Sequence, residues 1–285
     1  MIKEIKSGEL TVKIDTLGAE IKSVKNRDGV EFMWEGNPDI WSGTAPVMFP
    51  ICGGLKDDKF TFNGKEYTLT KHGFAKLKEF ETESITQNSV TFLLKSDADT
   101  LKSYPFEFEF RVFVSVDKNT VAVTYAVKNL NDGTMYFSVG AHEAYATPEG
   151  IEAYDIVFDK CENLDAYELD GNLLTYSKNN IVSNSNTLAL DDKYFTIDAL
   201  VFKEHLSNSC TLTQRGGTRR VKVEYDDFRF LILWHKHLAK YICIEPWNGI
   251  PDLTDADGDI THKFGITPLG ARKDYSITHK ITFSI

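Results

Sequence analysis

A chain of 285 residues that is 42% hydrophobic and 12% aromatic has ample apolar area for a continuous core, which excludes a disordered protein and suits one large all-β domain over 1–285. Its formal net charge of −10 excludes nucleic acid and an anionic membrane as general partners, because a polyanion needs a basic face, and leaves a neutral small molecule as the expected ligand. The opening residues, Met1-Ile2-Lys3-Glu4-Ile5-Lys6, mix both charge signs and lead into no apolar stretch of secretory or membrane-spanning length, so the cytoplasm is the expected location.

Strand signals then follow along the chain. Residues 60–69 contain Asn63-Gly64, a pair that tolerates positive φ and marks a tight hairpin. Over 106–114, Phe106, Phe108, Phe110, Val112 and Val114 alternate with Glu107, Glu109, Arg111 and Phe113, the period of two of a half-buried strand. Residues 121–127, 221–225 and 277–283 are similar β-branched and aromatic runs. Ser183-Asn184-Ser185-Asn186 reads as a loop, and residues 191–204 mix apolar and charged side chains in a way that suits one short helix. No fixed-period repeat or polar linker divides the sequence, so the expected architecture is a large antiparallel two-sheet sandwich with few short helices.

Three segments depart from plain strand or turn sequence: Lys71-His72-Gly73-Phe74-Ala75-Lys76, Val139-Gly140-Ala141-His142-Glu143-Ala144-Tyr145, and Cys243-Ile244-Glu245-Pro246-Trp247-Asn248-Gly249. Each sets a titratable side chain beside glycine, proline or aromatic residues, as where a strand ends and turns a side chain into a cleft. The apolar run 241–244 carries Glu245 toward the interior, where loss of water raises a carboxyl pKa toward that of a general base at neutral pH. Trp247 offers an aromatic face of the kind that stacks on the C–H surface of a pyranose.

Other polar clusters read as structural. His235 and His237 fall at the link between the strand-like runs 230–234 and 240–244, a hairpin turn from which they are expected to project at the cleft mouth rather than to bind a metal. Asp252, Asp255, Asp257 and Asp259 lack EF-hand spacing and read as a solvated acidic loop. Cys52, Cys161, Cys210 and Cys243 are scattered, without a C-x-x-C pair or zinc-ligand spacing, and are expected to be reduced and mostly packed.

The three segments, in this order, resemble the histidine-glycine-phenylalanine, glycine-x-histidine and glutamate-proline-tryptophan motifs of the aldose 1-epimerase family, in particular its LacX-like branch. Residues 45–56 resemble that branch's early phenylalanine-proline segment, and Gly265-Ile266 with Pro268-Leu269-Gly270 its closing strands. The resemblance implies a galactose mutarotase-like supersandwich and interconversion of α and β anomers of a hexose without cofactor or metal, in a monomer or homodimer. It also implies roles: Glu245 as general base on the anomeric hydroxyl, His142 as general acid on the ring oxygen, and His72 as a further partner of the sugar. Lys76, Trp247, Tyr145 and His235 are expected to contact substrate. Gly54 and Lys76 stand where the branch often has arginine, and Glu143 where it usually has proline. The competing functions are a non-catalytic sugar-binding or sensing protein, a hexose-phosphate epimerase, and a carbohydrate-cleaving enzyme using Glu143 and Glu245 as its carboxylate pair.

Overall fold

In the computed structural model, which describes residues 1–196 and 198–285, strands dominate and the α-helix is reduced to Thr100–Ser103. The alternation read from the sequence is the cause. In Phe108–Asp117 and Thr120–Asn129 every second side chain is buried, and Asp274–Ser284 alternates likewise over its second half. Phe106, Phe108, Phe110, Val112 and Val114 all lie in the core. Asn63 and Gly64, with φ of 51° and 74°, form the tight turn between Lys59–Phe62 and Lys65–Thr68.

One 14-stranded antiparallel sheet forms the body. At one end Val139–Gly140 and Glu143–Ala146 both pair with Tyr241–Asn248, which pairs with Phe230–Trp234 and then Leu200–Phe202. The order runs on through Tyr154–Asp170, Ser209–Gln214, Arg220–Glu224, Asp274–Ser284, Thr120–Asn129 and Phe108–Asp117 to the hairpin Glu81–Ile85/Ser89–Lys95. Glu143 and His279 lie far apart in this order, yet their side chains meet at 2.9 Å, and the rings of Tyr145 and Phe283 are 6.4 Å apart. The sheet therefore curls until its two parts face each other as a sandwich, with aromatic residues such as Phe49, Phe110 and Tyr125 between them.

Two local expectations change. Residues 183–186 lie inside the long strand Leu173–Ala189, whose pairing with Tyr154–Asp170 is broken by register shifts that leave polar side chains exposed without ending the strand. Within 191–204 the only helical turn among the described residues is the 3-10 turn Asp192–Phe195, its first turn capped by the Asp191 carboxylate accepting from the Lys193 N–H. Ile197 lies outside the described residues. Leu200, Val201 and Phe202 follow as a wholly buried strand paired on both edges, and this burial overrides the helical pattern.

Candidate active site

The site is built on Tyr241–Asn248, a strand buried along its whole length. Side chains alternate across it, so Cys243, Glu245 and Trp247 share one face, and the paired register extends that face to Trp234, Ile232 and Phe230 opposite them. On the other edge, His142 occupies the break between Val139–Gly140 and Glu143–Ala146, where the chain leaves and rejoins its pairing with the same strand. The break brings His142 Nδ1 to 3.4 Å from Glu245 Oε1. The Trp247 indole N–H donates to Glu245 Oε2 and to the Ala141 carbonyl, both at 3.1 Å, which fixes the carboxyl plane.

His72 arrives from a separate loop. It has φ of 69°, and so has Gly73, where an added Cβ would lie 2.4 Å from the Phe49 carbonyl oxygen. This tight crossing lets the Gly53 N–H donate to His72 Nδ1 at 3.1 Å. Because a backbone N–H can only donate, neutral His72 keeps its proton on Nε2.

Together these residues line a cleft of about 280 Å³. Trp41 stacks on His142 at 5.2 Å, Trp234 meets it edge-on at 5.6 Å, and Trp247 meets His72 edge-on at 5.4 Å. Lys71, Lys76 and Asp198 supply its charged rim. Lys76 Nζ donates to the Lys71 carbonyl at 3.1 Å, and Lys71 Nζ lies 3.8 Å from Asp198 Oδ2. The arrangement offers apolar faces and a polar floor, the usual make-up of a small-ligand cleft and one matched to a sugar.

Burial sets the electrostatics. It holds the Glu245 carboxyl well above the usual carboxylate range, with Lys71 and the Trp247 N–H pulling partly back. The same loss of water pushes His142 down to about 3 and His72 well below its ordinary value, the latter helped by His142 and Lys76. Burial thus favours the neutral carboxyl of Glu245 and the neutral imidazole of His142, a state in which the pair holds one proton. If catalysis requires that singly protonated pair, kcat/KM stays level as pH falls through 6.5, because His142 takes up no proton until far lower. A pH–rate profile over the range in which circular dichroism shows native protein checks this; an acid limb centred near 6.5 would contradict it.

Of the residues singled out in the sequence, His72, His142, Glu245, Lys76 and Trp247 come together at the cleft. Tyr145 and His235 do not. Tyr145 pairs with Ile242, and Glu143 with Ile244, so both point to the opposite face of the strand from Glu245. Tyr145 is enclosed against Phe283, and Glu143 accepts from His279 in the sandwich interior, which removes Glu143 as a carboxylate partner for Glu245. His235 is 2% exposed, its ring nitrogens bound to the Tyr241 carbonyl and the Asp192 carboxylate, where it ties the 3-10 turn to the hairpin instead of lining the cleft mouth. Sequence reasoning missed Trp41, Trp234 and Asp198. Trp234 had a signal: the short hairpin link sets it opposite Cys243, on the face that carries Glu245.

Comparison with known proteins agrees with this architecture. The family model for aldose 1-epimerase matches residues 1–258. The chain is 33% identical to the plasmid and the chromosomal LacX proteins of Lactococcus lactis subsp. lactis, over 98% of this chain and 99% of each relative. Among solved structures it resembles a galactose mutarotase related enzyme from Lactobacillus acidophilus, with TM-score 0.95, 36% identity, and coverage of 99% of this chain and 97% of that one. It also resembles a galactose mutarotase-like protein from Lactobacillus casei, with TM-score 0.94, 25% identity, and coverage of 99% and 100%.

Proposed function

The chain belongs to the aldose 1-epimerase family, and from that premise we propose that it interconverts the α and β anomers of an aldose in the cleft of His72, His142 and Glu245. The observation that carries this reading is the 3.4 Å approach of His142 Nδ1 to Glu245 Oε1 on the floor of an aromatic-walled cleft. Opening a hemiacetal needs a proton to leave O1 while another reaches the ring oxygen.

Moving the pair's single proton onto His142 produces a carboxylate and an imidazolium with no change in total charge. Glu245 then takes the O1 proton, His142 delivers its own to the ring oxygen, and the C1–O5 bond breaks to leave the open-chain aldehyde. Rotation about C1–C2 presents the other carbonyl face, and the same two groups run in reverse to close the ring. His72, with its Nε2–H, is a donor to the ring oxygen or a neighbouring hydroxyl, and Trp247 walls the sugar. Following optical rotation of freshly dissolved α-glucose and α-galactose tests the reading: the protein should shorten the approach to equilibrium in proportion to its concentration. Sugar binding without such acceleration would favour a binding or sensing role.

A hexose phosphate is the second reading, favoured by Lys76, which lines the cleft and has no carboxylate within salt-bridge distance among the described residues. The cleft lining among those residues contains no arginine, the side chain whose fork matches phosphate oxygens, and Lys71 already faces Asp198. Neutral aldoses are therefore expected to react at least as well as their 6-phosphates. Initial rates on both at low and high salt decide it. A tenfold phosphate preference that fades with salt and on Lys76→Ala would establish the phosphate reading.

A further inference from the structure

Cys243 has no part in that chemistry, yet the strand places it on the same face as Glu245, fully buried in a cluster with Trp41 and Trp234. One donor atom from each of His142, Cys243 and Glu245 lies within 4.8 Å of the other two. Among the described residues, His142 Nδ1 and Glu245 Oε1 are buried polar atoms without a hydrogen-bond partner, and they face each other at 3.4 Å. A tetrahedral ion with bonds of roughly 2.0–2.3 Å sets its donors roughly 3.3–3.7 Å apart. The imidazole and carboxylate already stand at that spacing, and the thiol lies within 4.8 Å of both. His142 precedes Cys243 and Glu245 by about a hundred residues, so no short ligand spacing announces the three.

We infer that His142, Cys243 and Glu245 form a binding site for Zn2+ or a cation of similar softness, with its fourth position open to the cleft, and that occupancy blocks the acid–base pair. Thiolate, imidazole and carboxylate suit Zn2+, Co2+ or Cd2+, whereas Mg2+ and Ca2+ prefer all-oxygen sets. Burial keeps the thiol protonated in the absence of a cation. On binding, the sulfur forms the metal bond and its proton leaves to solvent, together with any carboxyl proton on Glu245; nothing is oxidised or reduced. The blocking effect rests on the proposed roles of Glu245 and His142, while the site itself does not.

The test uses the full chain carrying Cys161→Ser, since Cys161 is an exposed thiol, treated with chelator and then titrated with Co2+. Saturation at one equivalent with a thiolate-to-cobalt charge-transfer band in the near ultraviolet is expected, with Zn2+ displacing the band and stopping anomer exchange until chelator is added. Adding Cys243→Ser should abolish the band and weaken Zn2+ binding at least ~10-fold, the lower end of what loss of even an outer-shell partner costs. The same variant should retain metal-free exchange, and Cys243→Ala gives a second readout should the serine variant fold poorly. Saturation without the band, or equal Zn2+ affinity with and without Cys243, would overturn the site. Zn2+ that binds with the band yet leaves exchange unchanged would overturn the blocking role. A protein without exchange activity would count against the epimerase reading alone, because the cobalt band still decides the site.

Discussion

Glu245→Gln and His142→Asn are each expected to lower turnover by at least ~100-fold, the scale of losing a positioned acid or base. Glutamine keeps the size of Glu245 and an oxygen for the Trp247 N–H, which donates at 3.1 Å, but has no basic carboxylate. Asparagine at 142 keeps a polar group beside Trp41 and loses the nitrogen that carries the proton. Since both residues act on one proton, the double variant should be little worse than either single one. Exchange rates measured on variants with native circular dichroism check this. A single variant at the parent rate would remove that residue from the chemistry.

Asp252→Ala is expected to cost about 3–5 kcal/mol of stability, the range for removing one partner of a buried ion pair. Lys263 Nζ donates to Asp252 Oδ1 at 2.7 Å and to the Ile250 carbonyl at 2.8 Å, and the two side chains are 3% and 5% exposed. Burial pulls the Lys263 ammonium below its ordinary pKa and Asp252 pulls it back. Alanine leaves that charge facing one carbonyl. The damage should reach the cleft: Asp252 follows Pro251, against which Gly53 packs so closely that a Cβ would fall 2.4 Å from Pro251 Cγ, and the Gly53 N–H orients His72. Replacing both charged residues, as Asp252→Leu with Lys263→Met, should recover much of the loss, because the remaining cost is packing rather than an unpaired charge. Urea unfolding reads both effects; a loss under about 1 kcal/mol in the single variant would place the pair in contact with water.

The sandwich was legible in the sequence because strands such as Phe108–Asp117 are buried on one face only and write a period of two, as at Phe108, Phe110 and Val112. The central strand Leu200–Phe202 was not, since a run buried on both faces has no such period. His72, His142, Glu245 and Trp247 stand out because strand breaks, Gly73 and Pro246 leave a local mark, whereas Lys76 stands out only through the family resemblance. Tyr145 and Glu143 were misread for one shared reason: sequence proximity to a motif does not say which face of a strand a side chain takes. One residue of alternation separates Ala144, on the face of Cys243, from Glu143 and Tyr145 in the interior. His235 and Asp252 look solvated in sequence, but each is covered by a distant segment, Asp192 for one and Lys56 and Lys263 for the other.

Exchange NMR at anomeric equilibrium reads whether the Glu245–His142 pair moves a proton on and off a sugar ring. With unlabelled glucose or galactose, cross-peaks between the α and β anomeric protons should appear in proportion to protein concentration and vanish with Glu245→Gln. Broadening of the sugar signals, which reports binding, accompanied by cross-peaks no stronger than in buffer alone would mean that the pair does not open the ring.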